Sequence, residues 1–168
     1  KVWTSNPNGQ TDPMALNDTV NYVFLAFEPL CGTYTIGGAG SNFATIADAV
    51  FALSFNGITC PVIFELNDDV YNQAIILANV NGMSAVNTIT IRPAAGKNVT
   101  ITSASTTATI KIEAASNFII DGSNNGTSSR NLTITNTSTA ANTAAIWIAS
   151  MGANLGCNNI TIKNCNIL

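Results

Sequence analysis

One short unit, apolar–x–apolar after a polar turn, returns seven times after residue 87 and constrains the fold more than any other feature. The seven copies are Ile89-Thr90-Ile91, Val99-Thr100-Ile101, Ile110-Lys111-Ile112, Phe118-Ile119-Ile120, Leu132-Thr133-Ile134, Ile146-Trp147-Ile148 and Ile160-Thr161-Ile162. Each copy offers only about two inward-facing apolar side chains, which is too few for a separate core. The core must therefore arise by stacking, as in a solenoid with rungs of roughly 20–28 residues and about four coils.

Asparagine stands directly before four of these units. The four residues are Asn98, Asn117, Asn131 and Asn159. Asparagine tolerates the left-handed backbone of a sharp bend, and stacked copies can share side-chain hydrogen bonds. We therefore predict that they stack at one corner of successive coils and form a ladder.

A change of period predicts a single helix over residues 41–56. Phe43, Ile46, Ala47, Val50 and Phe51 fall on one face of it, at the spacing of an amphipathic helix. Ser41 or Asn42 is expected to cap its start and Asn56-Gly57 to end it.

The composition agrees with an all-β chain. Charged residues make up 9% and hydrophobic residues 46%, whereas an ordinary soluble domain has roughly 25% charged residues. Asn and Thr supply the polar surface, and both suit turns and strand faces better than helices. The net charge of −3 and the six scattered basic residues argue against a nucleic-acid partner. No apolar run is long enough to cross a bilayer as a helix, so we predict no membrane span.

The chain divides into three parts. Residues 1–30 are predicted to be strand, loop and strand, either an extended arm or the end of a preceding β-sandwich. Residues 31–60 hold a strand and the helix, and residues 61–168 hold the coils. The first residues lack a signal peptide and the last coil lacks a cap, so we expect a fragment of a longer protein whose coils continue.

Residues 32–77 resemble the N-terminal part of the pectin-lyase-like family. The similarity lies in the helix around Phe43–Val50, the strand Val62–Leu66 and the turn Val70–Ile75. The phrase Gly32–Gly38 is similar to secreted and cell-surface β-helix proteins of Bacteroidetes, many of them type 9 secretion cargo. The resemblance implies a right-handed parallel β-helix with an N-terminal capping helix, preceded by an Ig-like module that ends near residue 30. It also implies a protein that is located outside the cell. It says little about activity, because a fold does not fix a function.

The residues offer few groups for catalysis, and we predict no catalytic residue. The sequence has no His, which excludes His-dependent triads and His metal sites within it. The pair Asp68-Asp69 has the oxygen ligands that calcium prefers, or can supply an acid and a base. The alternative, which we favour, is a pair that only solvates a loop. Calcium is thus the one cofactor considered, and Asp121 is predicted to turn a corner.

Trp147 is the main candidate for ligand binding. Its neighbours Ile146 and Ile148 are expected to point inward, so the indole should point outward, where it can stack on a sugar ring. The alternative is that the loop 150–157 covers it. The outward threonines Thr90, Thr100, Thr133 and Thr161 are not spaced to align as a flat array.

Cysteine spacing and one short motif give three further predictions. Cys31 and Cys60 flank one compact segment and are a plausible disulfide. A strand separates Cys157 from Cys165, so these two should not bridge each other. Asp18-Thr19-Val20 matches an O-glycosylation pattern of Bacteroidetes, with Thr19 as the acceptor.

Three functions follow as hypotheses. The first is a non-catalytic structural or adhesive segment, a stiff spacer or a ladder that binds glycans or surfaces. Its partners would be an extracellular glycan, the secretion machinery or further domains of the same chain. The second is the N-terminal part of a polysaccharide lyase or carbohydrate esterase whose catalytic coils lie outside this sequence. The third is an ice or mineral binder.

Overall fold

The computed structural model describes residues 28–168, together with the backbone of two short strands upstream. These are β1 (Val2–Trp3) and β2 (Thr19–Val20), which pair in antiparallel orientation. The predicted Ig-like module, the rest of residues 1–27 and the Thr19 side chain lie outside the described residues.

Three parallel sheets make up the rest of the fold. The first sheet consists of β3 (Leu30–Ile36), β4 (Ile58–Leu66), β7 (Ile89–Pro93), β10 (Phe118–Asp121) and β13 (Thr161–Lys163). The second sheet consists of β5 (Val70–Asn72), β8 (Val99–Ser103), β11 (Leu132–Asn136) and β14 (Cys165–Ile167). The third sheet consists of β6 (Ile75–Ala78), β9 (Ala108–Glu113) and β12 (Ala144–Ala149). From β4 onward the chain visits the sheets in turn and stacks each strand on the previous coil, which confirms the predicted parallel β-helix of about four coils.

The coils reach or exceed the upper end of the predicted length. Val62 lies level with Ile89, and Ile89 lies level with Phe118, so the middle coils are close to that upper end. Ile119 lies level with Thr161, and this coil is much longer because it carries the loops 122–131 and 150–160. The loops absorb the difference, so the strands keep their register.

The core consists of columns of inward side chains, one per sheet position. In the first sheet Phe64, Ile91 and Ile120 stack above one another and are all but completely buried. In the third sheet Ile110 is fully buried and lies between Ile75 and Ile146. Alternate residues of each strand thus share one interior, as the repeated unit predicted.

Asparagine side chains join successive coils, which confirms the predicted hydrogen bonds, but they do so in two pairs at two corners rather than at one. Asn131 Nδ2 donates to Asn98 Oδ1 at 2.7 Å, and Asn159 Nδ2 donates to Asn117 Oδ1 at 3.1 Å. Asn117 and Asn159 have the expected left-handed backbone, with φ of 61° and 53°. Asn98 and Asn131 do not have positive φ. At their corner the asparagine side chains therefore contribute only the hydrogen bond.

The helix, α1, spans Ile46–Asn56 and starts later than predicted. Thr45, rather than Ser41 or Asn42, caps it: its side chain accepts from the Asp48 amide while Asp48 accepts from the Thr45 amide. This reciprocal capping box satisfies amides that the first turn leaves unpaired.

The buried face of α1 differs from the predicted one. It consists of Ile46, Ala49 and Leu53. The prediction was wrong at Phe51, which is 63% exposed. Phe43 precedes the helix, where its backbone forms a bridge with Ile36.

A disulfide joins the first two coils. Cys31 in β3 and Cys60 in β4 are bonded through sulfur, with Cα atoms 4.9 Å apart. Cys31 lies where the register of β3 and β4 shifts between Leu30 and Gly32. The bond therefore clamps the most irregular part of the first sheet. Cys157 and Cys165 are free thiols.

Candidate functional site

Trp147 lies on the outer face of the third sheet, next to a charged pair. It is level with Lys111 on the neighbouring strand, and the Lys111 Nζ atom lies 4.8 Å from the centre of the indole. Lys111 also forms an ion pair with Glu113. The cation covers one face of the ring, and 44% of Trp147 stays exposed. An exposed indole beside donors and acceptors is suited to a ligand that is partly apolar and partly polar.

The loop 150–157 leaves this surface accessible. It folds on itself: the Met151 amide donates to the Leu155 carbonyl at 3.0 Å, and Ser150 Oγ donates to the Gly152 carbonyl at 3.0 Å. Ile148, expected to point into the core, is 48% exposed. Within the described residues β12 has a strand on one side only, so nothing there stacks on Ile148.

The structure gives Asp68 and Asp69 different partners. Asp69 is exposed, and its carboxylate lies 3.5 Å from Lys97 Nζ. Asp68 lies against Gly37, where a Cβ atom would collide with its carboxylate. In residues 28–168 no group of three or more His, Cys, Asp or Glu is arranged to hold a metal ion.

Tyr71 organises the turn that carries Asp68. Its hydroxyl donates to the Ile36 carbonyl at 2.6 Å and accepts from the Asp68 amide at 3.1 Å. Burial raises the pKa of Tyr71, and the nearby Asp68 carboxylate adds to the effect. The phenol therefore stays protonated and ties β5 to the end of β3.

A polar cleft that the sequence did not reveal lies at the end of the first sheet. Glu65 and Arg92 stand level on β4 and β7, and Arg92 Nη2 lies 2.7 Å from Glu65 Oε1. Together with Pro93 at the end of β7, Ala95 in the turn that follows, and the loop residues Asn124 and Asn125, they line a cavity of about 260 Å³. The two ionic residues are far apart in the sequence, so only knowledge of the register would have paired them.

Hydrogen bonds hold the outer wall of this cleft in place. Asn125 Oδ1 accepts from Ser123 Oγ at 2.9 Å and from the Thr127 amide at 3.1 Å. Asn124 Nδ2 donates to the Lys97 carbonyl at 2.7 Å. The two side-chain amides thereby fix the loop after β10 and attach it to the preceding coil.

Asp121 has the predicted role in a turn and also joins two coils. Its carboxylate accepts from the Ser123 amide at 3.0 Å and from Asn164 Nδ2 at 2.8 Å, and it lies 3.1 Å from Lys163 Nζ. Burial raises the pKa of Asp121, but the bonds from Asn164 and Ser123 and the charge of Lys163 together outweigh it. The net result is a lowered pKa.

The outward threonines are better aligned than the sequence indicated. On the second sheet Thr100 is level with Thr133 and Thr102 with Thr135, so four threonines form a small grid. Thr90 and Thr161 belong to the first sheet instead. The expectation that the threonines do not align was therefore wrong for the second sheet only.

An apolar groove lies between α1 and β6. Val50, Phe51 and Ile76 are among the residues that line its volume of about 360 Å³. It lies beside Lys111, since Ile76 is level with that residue.

Comparison with known proteins finds no match: no protein-family model, curated protein or solved structure matches the chain. No helix in the described residues is long and apolar enough to cross a bilayer. Function must therefore be inferred from the surfaces described above.

Proposed function

We propose that the chain is a structural and adhesive segment of an extracellular protein and binds a glycan at Trp147. The observation that carries the proposal is the half-exposed indole on the outer face of a sheet, beside the pair Lys111–Glu113. A sugar ring would stack on the indole face that Lys111 leaves open, and its hydroxyls would bond with the ionic pair.

The stacked coils support the structural part of the proposal. Each coil contacts its neighbours through three sheets and a shared core, so the segment would act as a stiff spacer that holds the binding surface away from its anchor. The disulfide supports an oxidising, extracellular setting. The resemblance to Bacteroidetes β-helix proteins supports a cell-surface protein exported by the type 9 route, with Thr19 as a glycan acceptor. The proposal also includes two further partners, the secretion machinery and other domains of the same chain, and calcium as a bound cofactor.

A glycan array with the labelled chain tests the binding, followed by calorimetry on the best ligand. We expect Trp147→Ala to weaken binding by about twofold to tenfold, since stacking on an aromatic ring is worth about 0.5–1.5 kcal/mol. Trp147→Phe should restore part of the affinity. Thr133→Ala, on the outer face of the second sheet, is the matched control and should bind like the unmodified chain. Equal binding by Trp147→Ala and the unmodified chain would remove Trp147 from the proposal.

A further inference from the structure

The polar cleft at the end of the first sheet is separate from the Trp147 surface, which lies on the third sheet. Its floor is the ion pair Glu65–Arg92, with side chains 25% and 34% exposed. Pro93, Ala95, Asn124 and Asn125 complete its lining. The floor is rigid, because both charged residues lie on strands in register, and the hydrogen bonds of Asn124 and Asn125 hold the outer wall.

The charge balance of the cleft limits what it can bind. Glu65 and Arg92 neutralise each other at 2.7 Å, so an anion would meet the carboxylate and a cation would meet the guanidinium. A neutral ligand avoids both penalties. Within residues 28–168, one oxygen of Glu65, the remaining guanidinium nitrogens of Arg92 and Asn125 Nδ2 have no protein hydrogen-bond partner.

Donors and acceptors side by side suit hydroxyl groups, because each hydroxyl both donates and accepts. Hydrogen bonds to charged partners are stronger than those between neutral groups. The methyl group of Ala95, which is exposed, offers a small apolar contact to the C–H face of a sugar ring. The volume of about 260 Å³ is below the range of about 300–1,000 Å³ typical of drug-sized ligands. It therefore suits a single ring.

We infer that this cleft is a binding site for one neutral sugar unit, free or at the end of a glycan. The carboxylate of Glu65 accepts from one hydroxyl of the ring, while Arg92 and Asn125 donate to others. This site goes beyond the stacking surface proposed above and does not depend on it.

Ligand-observed NMR on the chain tests this inference, with glucose, galactose, mannose and N-acetylglucosamine as probes. Galacturonate and inorganic phosphate serve as charged probes. We expect at least one neutral sugar to bind with a dissociation constant on the order of 1 mM, as suits a ligand of about a dozen non-hydrogen atoms. The charged probes should bind at least about tenfold more weakly.

Two variants locate the binding. Both are made in the Trp147→Ala background, so that stacking on the indole does not contribute. There Ala95→Trp fills the cleft from an exposed turn position and should abolish binding, whereas Ala95→Ser should leave it unchanged. The double variant Glu65→Gln, Arg92→Gln keeps a polar side chain at both positions but removes their charges. It should weaken binding about tenfold, since charged hydrogen bonds become neutral ones.

Trp147→Ala alone separates this site from the other and should still bind the monosaccharide with a dissociation constant on the order of 1 mM. The inference is overturned if no neutral sugar binds, if Ala95→Trp still binds, or if galacturonate or phosphate binds more tightly. Loss of monosaccharide binding in Trp147→Ala would also overturn it, because the sugar would then be on the third sheet.

Discussion

At the scale of single residues, the asparagine corners combine two separate contributions to stability. Asn117 has a left-handed backbone and also accepts from Asn159, whereas Asn131 only donates its hydrogen bond. Asn131 Oδ1 is buried and has no partner in residues 28–168. The cost of burying this oxygen offsets part of the stability that the hydrogen bond from Asn131 contributes. Comparing Asn117 with Asn131 therefore separates the contribution of the left-handed backbone to stability from the contribution of the hydrogen bond.

We predict that Asn117→Ala lowers the free energy of unfolding by about 2 kcal/mol. About 1 kcal/mol comes from forcing alanine into the left-handed region and about 1 kcal/mol from the lost hydrogen bond. Asn131→Ala should lose about 1 kcal/mol or less. Urea denaturation followed by circular dichroism measures both.

Asn117→Gly is the control, because glycine accepts this backbone without strain. It should be more stable than Asn117→Ala. If the two variants were equally stable, the left-handed backbone would not contribute.

Cys165 is predicted to be slow to alkylate. Burial raises the pKa of its thiol from 9.0 to about 11, and only the thiolate is a nucleophile. At pH 8 the folded chain should react with iodoacetamide roughly a hundredfold more slowly at Cys165 than the urea-unfolded chain does. Peptide mass spectrometry at timed intervals gives the rate, and equal rates in the two states would contradict the prediction.

At the scale of secondary-structure elements, the disulfide between β3 and β4 holds the first coil on the second. Cys31 and Cys60 are separated by 29 residues, and closing a loop of that size in the unfolded chain is worth about 3–4 kcal/mol. We predict that the free energy of unfolding of the double variant Cys31→Ser, Cys60→Ser is lower by about 3–4 kcal/mol. Thermal denaturation of both proteins measures the change.

The matched control for that variant is the double replacement Cys157→Ser, Cys165→Ser. Neither of these thiols is bridged, so the replacement leaves the disulfide in place. Adding a reductant should destabilise the control as much as the unmodified chain, and should not affect Cys31→Ser, Cys60→Ser.

The strands were predictable from the sequence, but the limits of the helix were not. Alternation of apolar residues located the strands of the repeated unit because burial in a strand depends only on a period of two. The helix offered several apolar residues at helical spacing, and its true face was decided by what it packs against. Thr45 and Asp48 form a capping box that fixes the start, and this local signal was more reliable than the periodicity.

At the scale of the whole molecule, Asp121 joins the last described coil to the one before it through Lys163 and Asn164. Its pKa is lower in the folded chain than the ordinary value of 3.8. The ionised carboxylate therefore stabilises the fold above that value, and the contribution is lost as the pH falls through the folded pKa.

We expect acid to loosen the last coil first. Solenoids open locally, since each coil is stabilised only by its neighbours. Hydrogen exchange at the β13 amides, corrected for intrinsic rates, should accelerate as the pH falls from 6 towards 3. Asp121→Asn should exchange faster than the unmodified chain at pH 6 and show a smaller change with pH. An identical pH response in both proteins would contradict the role of Asp121.

The candidate site was only partly predictable at this scale. Trp147 was identified from the sequence because alternation alone indicates an outward position. The cleft was missed because Glu65 and Arg92 meet only through the register of β4 and β7. That register depends on the length of the intervening loops, and those vary from coil to coil.

The ion pairs of the coils affect how the rate of ligand association depends on salt. Arg92, Lys97, Lys111 and Lys163 each lie against a carboxylate, so four of the six basic residues project little field into the solvent. A neutral sugar would approach this surface by diffusion alone, because a molecule without net charge gains little long-range attraction from the charges of the chain. Its association rate should therefore be about the same in dilute buffer as in concentrated salt.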